Sequence, residues 1–336
     1  MVSIIEVARR ANVSTATVSR VINMPEKVKP ETREIVEQVI KELDFRPNAL
    51  ARSLIQRNTK SIGILIPDIN NLFYPAVVRG AEDVFEDKNY SIFLCNTDKD
   101  IVKEQAYIKV LLEKRVDGIV IMGTRPIDGS QNEHIKTLGK SLPIVMVNDK
   151  IVGADVYAVL TDEIEGAYKA VDYLIGLGHR KIAHVTGEID NYTTYQNKYK
   201  GYEMALRRSG ISVPPDYVVA DQPYPSGGYC ATKKLLSLKE RPTAIFAASD
   251  QIAMGVMKAC FESDLKIPDD ISVVGYANIP ISEDLHPELT TVNQFPYKTG
   301  SLVAEVMINI LTGEQSVEKE IIMSPELLIR KSCRSI

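Results

Sequence analysis

Near its N-terminus the chain reads Val13-Ser14-Thr15-Ala16-Thr17-Val18-Ser19-Arg20-Val21-Ile22-Asn23. Ser14 stands where a helix N-cap is needed, since its side-chain oxygen can accept a free backbone N–H of the first turn. Val18, Val21 and Ile22 recur at helical spacings and give one apolar face. The opposite face carries short side chains and Arg20, whose guanidinium can pair with the edge of a guanine. The segment is therefore predicted to be a helix that lies against a nucleic acid.

A second short helix is predicted just upstream of this segment. Ser3 and Glu6 have the spacing of a capping box and mark its start. Its apolar stripe consists of Ile4, Val7, Ala8 and Ala11. Two short helices joined by Asn12-Val13-Ser14 are typical of a helix-turn-helix, in which the second helix reads the bases. The alternative is a helical hairpin that serves only for packing.

The charge of the chain is distributed unevenly. The first 60 residues carry 11 Lys or Arg and 7 Asp or Glu, a net charge of +4, whereas the remainder has a net charge of −8. A basic N-terminal segment followed by an acidic remainder indicates that only the N-terminal segment contacts DNA phosphates. The length of 336 residues favours two or three domains. No apolar run approaches the roughly 18 residues of a membrane span and no secretory signal is recognised, so a cytoplasmic location is expected.

No metal site, cofactor or enzymatic activity is predicted. The four cysteines form no C-x-x-C pair and are expected to be reduced: Cys95, Cys230, Cys260 and Cys333. His179 and His184 do not form a ligand set, because the second belongs to a predicted strand. The sequence contains no nucleotide-binding G-x-G-x-x-G after a strand, no G-x-x-x-x-G-K-[ST] and no G-x-S-x-G elbow.

From Ser61 onward, apolar runs alternate with amphipathic stretches, a pattern typical of parallel sheets covered by helices on both faces. The predicted strands are Ile62–Ile66, Ile92–Leu94, Gly118–Met122, Ile144–Val147, Val156–Leu160, Ile182–Val185, Ala244–Ala248 and Ile271–Val274. The predicted fold is a small all-α helix-turn-helix headpiece followed by an α/β core of two lobes, each with a Rossmann-like parallel sheet. Asp250 is expected to cap the helix that follows the strand 244–248.

These motifs resemble the LacI/GalR family of bacterial transcription regulators. The resemblance is carried by the headpiece pattern E-V-A-x-x-A-x-V-S-x-x-T-V-S-R-V-I-N and by Leu177-Gly178-His179, Ala248-Ser249-Asp250-Gln251 and Pro287-Glu288-Leu289-Thr290-Thr291-Val292. It implies a periplasmic-binding-protein-like core and a homodimer that represses carbohydrate-utilisation genes from a palindromic double-stranded DNA operator. The implied segments are a headpiece (1–46), a hinge helix (47–60), an N-terminal lobe (61–160 with 291–320) and a C-terminal lobe (161–290 with 321–336).

The predicted DNA contacts come from the reading helix and from the hinge. Thr15, Ala16 and Arg20 are expected to face base edges. The residues expected to contact the DNA backbone are Ser14, Thr17, Asn23 and Lys27. In the family, a hinge leucine wedges between base pairs of the minor groove; the resemblance gives this role to Leu54, with Ala51 as the close-approach residue. An ordinary linker is the alternative for the hinge.

A ligand of the core is expected at the carboxyl ends of the strands, where both lobes face one cleft. The candidate effector-binding residues are Phe73, Tyr74, Thr124, Arg125, Asn148, Asp162, Lys198, Gln222, Ser249 and Asn278. Where the family commonly has acids, this chain has Asn148 and Ala277, while Lys198 and Arg125 supply positive charge.

The loss of two acids favours an anionic effector, such as a sugar phosphate or a sugar acid, because an unpaired buried acid beside an anion is costly. Two alternatives stay open. The effector is a neutral sugar held by amides, or the chain resembles the catabolite control proteins of the same family, whose corepressor is a phosphorylated carrier protein.

Overall fold

The computed structural model describes residues 2–45, 58–123, 125–129 and 132–336, with Asn23 described for its backbone only. The chain divides into two compact units, Met1–Thr59 and Lys60–Ile336. Most of the predicted hinge, including Ala51 and Leu54, lies outside the described residues.

The first unit is a small helical domain. Its elements are α1 (Ile4–Arg10), α2 (Thr15–Asn23), a 3-10 turn (Pro25–Lys27) and α3 (Pro30–Glu42). The turn between α1 and α2 contains Asn12 in the left-handed region, with a φ of 50°, a conformation that asparagine tolerates better than most residues. The core of the unit is formed by Val7, Ala8, Ala11, Val18, Val21, Val36, Val39 and Phe45.

Both predicted N-caps are present, but the capping box is only half formed. The Ser3 hydroxyl accepts the backbone N–H of Glu6 at 3.3 Å. The Glu6 carboxylate does not return to Ser3 and pairs instead with Arg9 at 2.6 Å. This exposed pair satisfies the carboxylate by an interaction one helical turn away, which competes with the return bond of a capping box.

The second unit contains two parallel-rich sheets, each of six strands among the described residues. The first sheet has the order β11-β5-β4-β3-β1-β2, and the second has the order β12-β10-β9-β8-β6-β7. The strands are β1 (Ser61–Ile66), β2 (Ser91–Asn96), β3 (Gly118–Met122), β4 (Ile144–Val147), β5 (Tyr157–Thr161), β6 (Ile182–Thr186), β7 (Val218–Ala220), β8 (Ala244–Ala247), β9 (Ser272–Ala277), β10 (Thr290–Asn293), β11 (Glu320–Met323) and β12 (Glu326–Leu328). All neighbouring strands are parallel except the antiparallel pair β10 and β12.

Helices cover both faces of each sheet, so the central strands are buried and read as continuous apolar runs. The helices of the first lobe are α4 (Phe73–Asp87), α5 (Ile101–Glu113), α6 (Glu133–Leu138) and α11 (Pro296–Thr312), and those of the second lobe are α7 (Glu163–Gly176), α8 (Thr193–Arg208), α9 (Pro225–Leu236) and α10 (Asp250–Phe261). Short 3-10 turns lie at Pro215–Tyr217 and Pro280–Glu283. The prediction of a helical headpiece followed by a two-lobed α/β core is confirmed.

The chain passes between the lobes after β5, after β10 and after β11. The sequence analysis placed the last two crossings at residues 291 and 321. In the structure, β10 continues in the second sheet to Asn293 and β11 continues in the first sheet to Met323. Pairing of these strands with β9 and β5 sets the later positions.

None of the helices in the described ranges is long and apolar enough to cross a membrane. Within the same ranges, no group of three or more His, Cys, Asp or Glu side chains could hold a metal ion. Cys95 and Cys260 are buried, Cys333 is partly exposed and Cys230 is exposed, and all four are free thiols.

The buried side chain of His184, in β6, packs against the neighbouring helix α8 and strand β8. The imidazole of His184 stacks between the rings of Tyr202 and Phe246, with centroid separations of 5.1 and 4.8 Å. Its Nδ1 lies 3.0 Å from the carbonyl oxygen of Phe246. Burial disfavours the imidazolium and lowers the pKa of His184 from 6.5 to about 4.

This histidine predicts acid sensitivity of the second lobe. Between these two pKa values the unfolded chain binds a proton that the folded chain does not, so stability falls as the pH falls. Lowering the pH from about 7 to about 5 should therefore cost the wild type about 2 kcal/mol more than His184→Phe. Denaturant unfolding at both pH values measures this difference, and equal losses in the two proteins would contradict it.

Candidate functional site

The exposed face of α2 presents the residues predicted to meet base edges. Thr15, Ala16 and Arg20 are exposed, while Val18 and Val21 are buried in the core of the helical unit. The helix therefore keeps its apolar face inward and leaves a narrow strip of small side chains and one guanidinium outward. A strip of this kind suits close approach to a major groove.

The residues predicted to contact the DNA backbone differ in what the structure shows. The Ser14 hydroxyl accepts the backbone N–H of Thr17 at 3.1 Å and lies 2.9 Å from the Thr17 hydroxyl. These two side chains thus also fix the start of α2. Lys27 is exposed in the turn after the helix. The side chain of Asn23 is not among the described parts of the chain.

The second candidate site is a cavity of about 370 Å³ at the carboxyl ends of the strands, between the two lobes of the core. Seven of the predicted effector-binding residues line it: Phe73, Tyr74, Arg125, Asn148, Lys198, Gln222 and Ser249. Thr124 lies outside the described residues. The structure therefore brings residues of both lobes together at one cleft of a size typical of small-molecule sites.

Asp162 and Asn278 are not among the residues that line the cavity, and their part in effector binding stays a prediction. The Asp162 carboxylate caps α7 by accepting the backbone N–H of Glu165 at 2.9 Å. The amide oxygen of Asn278 accepts from Arg330 at 2.9 Å and from Ser282 at 3.1 Å. The polar groups of both side chains therefore bond to other residues of the protein.

The helix cap at α10 is also one residue earlier than predicted. Ser249, not Asp250, is the N-cap, and its hydroxyl accepts the backbone N–H of Ile252 at 3.2 Å. The buried Asp250 carboxylate instead accepts from Thr291 at 2.5 Å and from the backbone N–H of Ile279 at 2.8 Å. Burial raises the pKa of Asp250 to about 6. Asp250 thereby links α10 to the ends of β9 and β10.

Lys198 does not offer the free positive charge that the sequence analysis assigned to it. Its Nζ lies 3.6 Å from the Glu163 carboxylate and donates to the carbonyl oxygen of Ala248 at 3.2 Å. Lys198 is 6% exposed and Glu163 is 5% exposed, so the pair is almost fully removed from water. Burial lowers the pKa of Lys198 and raises the pKa of Glu163. Both groups nevertheless reach the cavity.

The positive charge of Arg125 is likewise paired with a carboxylate of the protein. Its Nη2 donates to both carboxylate oxygens of Glu104, at 2.7 and 2.8 Å, and Nε2 of His134 lies 2.7 Å from one of them. The charged side chains that line the cavity comprise three cations (Lys99, Arg125, Lys198) and seven carboxylates (Asp68, Asp100, Glu104, Glu163, Glu188, Asp221, Asp250). The described lining is therefore acidic, which removes the basis of the predicted preference for an anion.

Aromatic side chains from both lobes make up much of the remaining wall. Phe73 and Tyr74 pack edge to face with ring centroids 5.5 Å apart in the first lobe, and Tyr192 and Tyr195 do the same at 6.3 Å in the second. Burial is the main cause that raises the pKa of Tyr74 and of Tyr195, so both hydroxyls stay protonated. The cleft thus combines apolar ring faces with neutral hydroxyl groups.

The two lobes contact each other around the cleft. The Tyr224 hydroxyl donates to the Asp68 carboxylate at 2.9 Å, and the Gln251 side chain donates to the carbonyl oxygen of Asn70 at 3.0 Å. On another side, the backbone N–H of Ile127 donates to the carbonyl oxygen of Asn191 at 3.1 Å. The conformation described is therefore one in which hydrogen bonds close the cleft.

Glu163 and Gln294 line the cavity but were not predicted to do so. Each follows a strand that ends at the cleft: Glu163 comes two residues after β5, and Gln294 comes directly after β10. Position at a strand end is a signal that could have identified both. The sequence analysis named Asp162 near the end of the first of these strands and no residue at the end of the second.

Comparison with known proteins assigns both units. Residues 3–48 match the family model "Bacterial regulatory proteins, lacI family", and residues 171–333 match the model "Periplasmic binding protein-like domain". The chain is 38% identical over 331 residues to the HTH-type transcriptional regulator RegA of Clostridium saccharobutylicum, covering 98% of both chains. It is also 38% identical over 326 residues to catabolite control protein A of Priestia megaterium, covering 96% of both chains.

Solved structures give the same assignment over the whole chain. The Lac repressor dimer bound to operator and the anti-inducer ONPF has a TM-score of 0.88 with 26% sequence identity, over 99% of each chain. The complex of transcriptional regulator CelR with cellobiose has a TM-score of 0.73 with 26% identity, over 99% of this chain and 100% of that one.

The contact between Tyr224 and Asp68 yields a prediction about closure of the cleft. Tyr224→Phe removes a hydrogen bond to a carboxylate that joins the lobes, which should weaken closure by about 1–2 kcal/mol. Hydrogen exchange of the backbone around residues 67–72 and 221–225 should accelerate as a result. Tyr229→Phe is the matched control, since the Tyr229 hydroxyl bonds Glu262 within one lobe. Equal exchange in the two variants would show that Tyr224 does not hold the cleft closed.

Proposed function

The chain belongs to the lacI family of bacterial regulatory proteins, and from this premise we propose that it is a repressor controlled by a small uncharged carbohydrate in the cleft. It is a DNA-binding transcription regulator and not an enzyme, like the relatives that it resembles over its whole length. The observation that carries the proposal is the charge balance of the cavity. Seven carboxylates face three cations in the described lining, and two of these cations, Lys198 and Arg125, each contact a carboxylate, so no excess of positive charge supports an anionic effector.

The remaining chemistry of the cavity favours a polyhydroxylated ligand. Ring faces such as those of Phe73 and Tyr74 suit the apolar face of a sugar, while carboxylates and amides accept and donate to its hydroxyl groups. Among the solved relatives, CelR is recorded with cellobiose, which is an uncharged sugar. We therefore revise the expectation of a sugar phosphate or sugar acid to a neutral sugar.

DNA recognition follows from the exposed strip of α2 and from two-fold symmetry. LacI-family repressors form dimers on operator DNA, and a two-fold dimer matches a palindromic site. Arg20, Thr15 and Ala16 supply the base contacts in this proposal, with Ser14, Thr17, Asn23 and Lys27 on the phosphates and Leu54 with Ala51 at the hinge. An effector changes operator affinity only through unequal affinity for the two states of the protein.

The second candidate function is that of a catabolite-control regulator with a phosphorylated carrier protein as corepressor. It rests on the 38% identity to catabolite control protein A. In this case the cleft would not need to bind a sugar tightly. A carrier protein that raises operator affinity, together with sugars that have no effect, would select this function.

The effector is tested by measuring operator binding of the purified protein against a set of neutral sugars, with their phosphates and uronic acids as matched partners. A neutral sugar should change operator affinity by at least about fivefold, within the range of typical allosteric coupling, and its charged partners should not. Raised thermal stability in the same sugar identifies direct binding. A response confined to acidic sugars would contradict the proposal.

The DNA contacts are tested with a matched pair of variants and an operator selected from random palindromes with the wild type. Arg20→Ala should cost about 1–3 kcal/mol on the selected site and relax its sequence preference, because a base contact is lost. Lys27→Ala should weaken binding to all sequences alike and reduce the salt dependence by about one charge. Loss of sequence preference in Lys27→Ala but not in Arg20→Ala would reverse the assigned roles.

A further inference from the structure

A buried carboxylate lies next to the only buried lysine among the described residues that line the cavity. Glu163 is the first residue of α7 and Lys198 lies in α8, both in the second lobe. Their charged atoms are 3.6 Å apart, which is longer than a direct hydrogen bond. Both residues line the cavity, so a ligand hydroxyl can approach the two groups together.

The positive charge of Lys198 is balanced entirely by groups of the protein. Besides Glu163, its Nζ has the carbonyl oxygen of Ala248 at 3.2 Å and the ring of Tyr276 with its centroid at 4.3 Å. A carbonyl dipole, a carboxylate and an aromatic face all stabilise an ammonium group. An incoming anion would gain little from Lys198 and would be repelled by Glu163.

The orientation of Glu163 is fixed by neighbours that do not depend on its charge. The hydroxyl of Thr194 donates to one carboxylate oxygen, and the amide of Asn197 lies 3.4 Å from the other. Both donors come from the same helix as Lys198. A glutamine at position 163 can keep the same shape and still accept a hydrogen bond, so charge can be removed without removing the side chain.

We propose that Glu163 is the specificity-determining residue of the cleft, which makes the Lys198 subsite select an uncharged hydroxyl over an anionic group. An uncharged hydroxyl donates to the carboxylate and accepts from the ammonium at once, whereas an ionised carboxylate only accepts and a phosphate places negative charge beside Glu163. This inference rests on the proposed function, because it names the chemical class of the effector at the same site. It assigns the selectivity to one carboxylate rather than to the shape of the cavity.

The test uses the full chain and inorganic phosphate as the anionic probe, with chloride at matched ionic strength as the reference. In the wild type, phosphate should raise the melting temperature only by the general stabilising effect of a kosmotropic anion. In Glu163→Gln the rise should be larger, because Lys198 has lost its carboxylate partner and an anion that binds the folded state stabilises it. Glu165→Gln is the matched control, since Glu165 lies in the same helix, pairs with Lys169 and does not line the cavity.

The same proteins are then compared on neutral sugars and the corresponding uronic acids. Glu163→Gln should improve the affinity for an acid relative to its neutral parent by at least about tenfold, which corresponds to about 1.4 kcal/mol. Glu163→Asp retains the charge and should keep the wild-type discrimination.

Two results would overturn the inference: a wild type that binds a uronic acid as tightly as its neutral parent sugar, or a folded Glu163→Gln that discriminates against anions as strongly as the wild type. The first needs no variant, so the inference stays testable if Glu163→Gln does not fold. The phosphate measurement is also independent of operator binding. If sugars fail to alter operator affinity, the proposed function is contradicted, but the comparison of Glu163→Gln with the wild type in phosphate can still be interpreted.

Discussion

Burial of charge between the two lobes is the constraint on which the structure of the cleft depends. A charged side chain taken out of water is tolerated only with a partner, because desolvation costs several kcal/mol for each ion. Lys198 has Glu163, and Arg125 has Glu104, which also contacts His134. These pairs leave few unsatisfied charges for a ligand. The cavity recognises its ligand through ring faces and hydrogen-bonding groups, and not through net positive charge.

The backbone brings these groups together at the ends of parallel strands. The chain turns sharply as it leaves several strands: Asn148 after β4, Ala277 at the end of β9 and Phe295 after β10 have φ values of 55°, 112° and 51°. Left-handed conformations are costly for residues other than glycine, and they persist where the surrounding structure holds them. All of these turns lie beside the cleft or at a crossing between the lobes, where Asn148 and Ala277 line the cavity.

The sequence predicts most of the fold but only part of the site. Strands with long apolar runs are found where predicted, whereas β7, with three residues and no fully buried position, has no such signal. Lys198 lines the cavity at the place that its motif position indicates. Its pairing with Glu163 could not be predicted, since Glu163 lies on a different helix and only packing shows the pair. Asn278 directly follows strand β9, which is why it was expected at the cleft. In the structure its amide oxygen instead accepts a hydrogen bond from Arg330 in the C-terminal tail.

The central claim is that occupancy of the cleft and operator binding are energetically coupled. Its most direct measurement is calorimetric titration of a neutral sugar that binds the cleft, into the free protein and into the protein saturated with operator DNA. Coupling is reciprocal, so the account predicts that operator changes the affinity for the sugar by the same factor by which the sugar changes the affinity for operator. Identical sugar affinities with and without operator would contradict it.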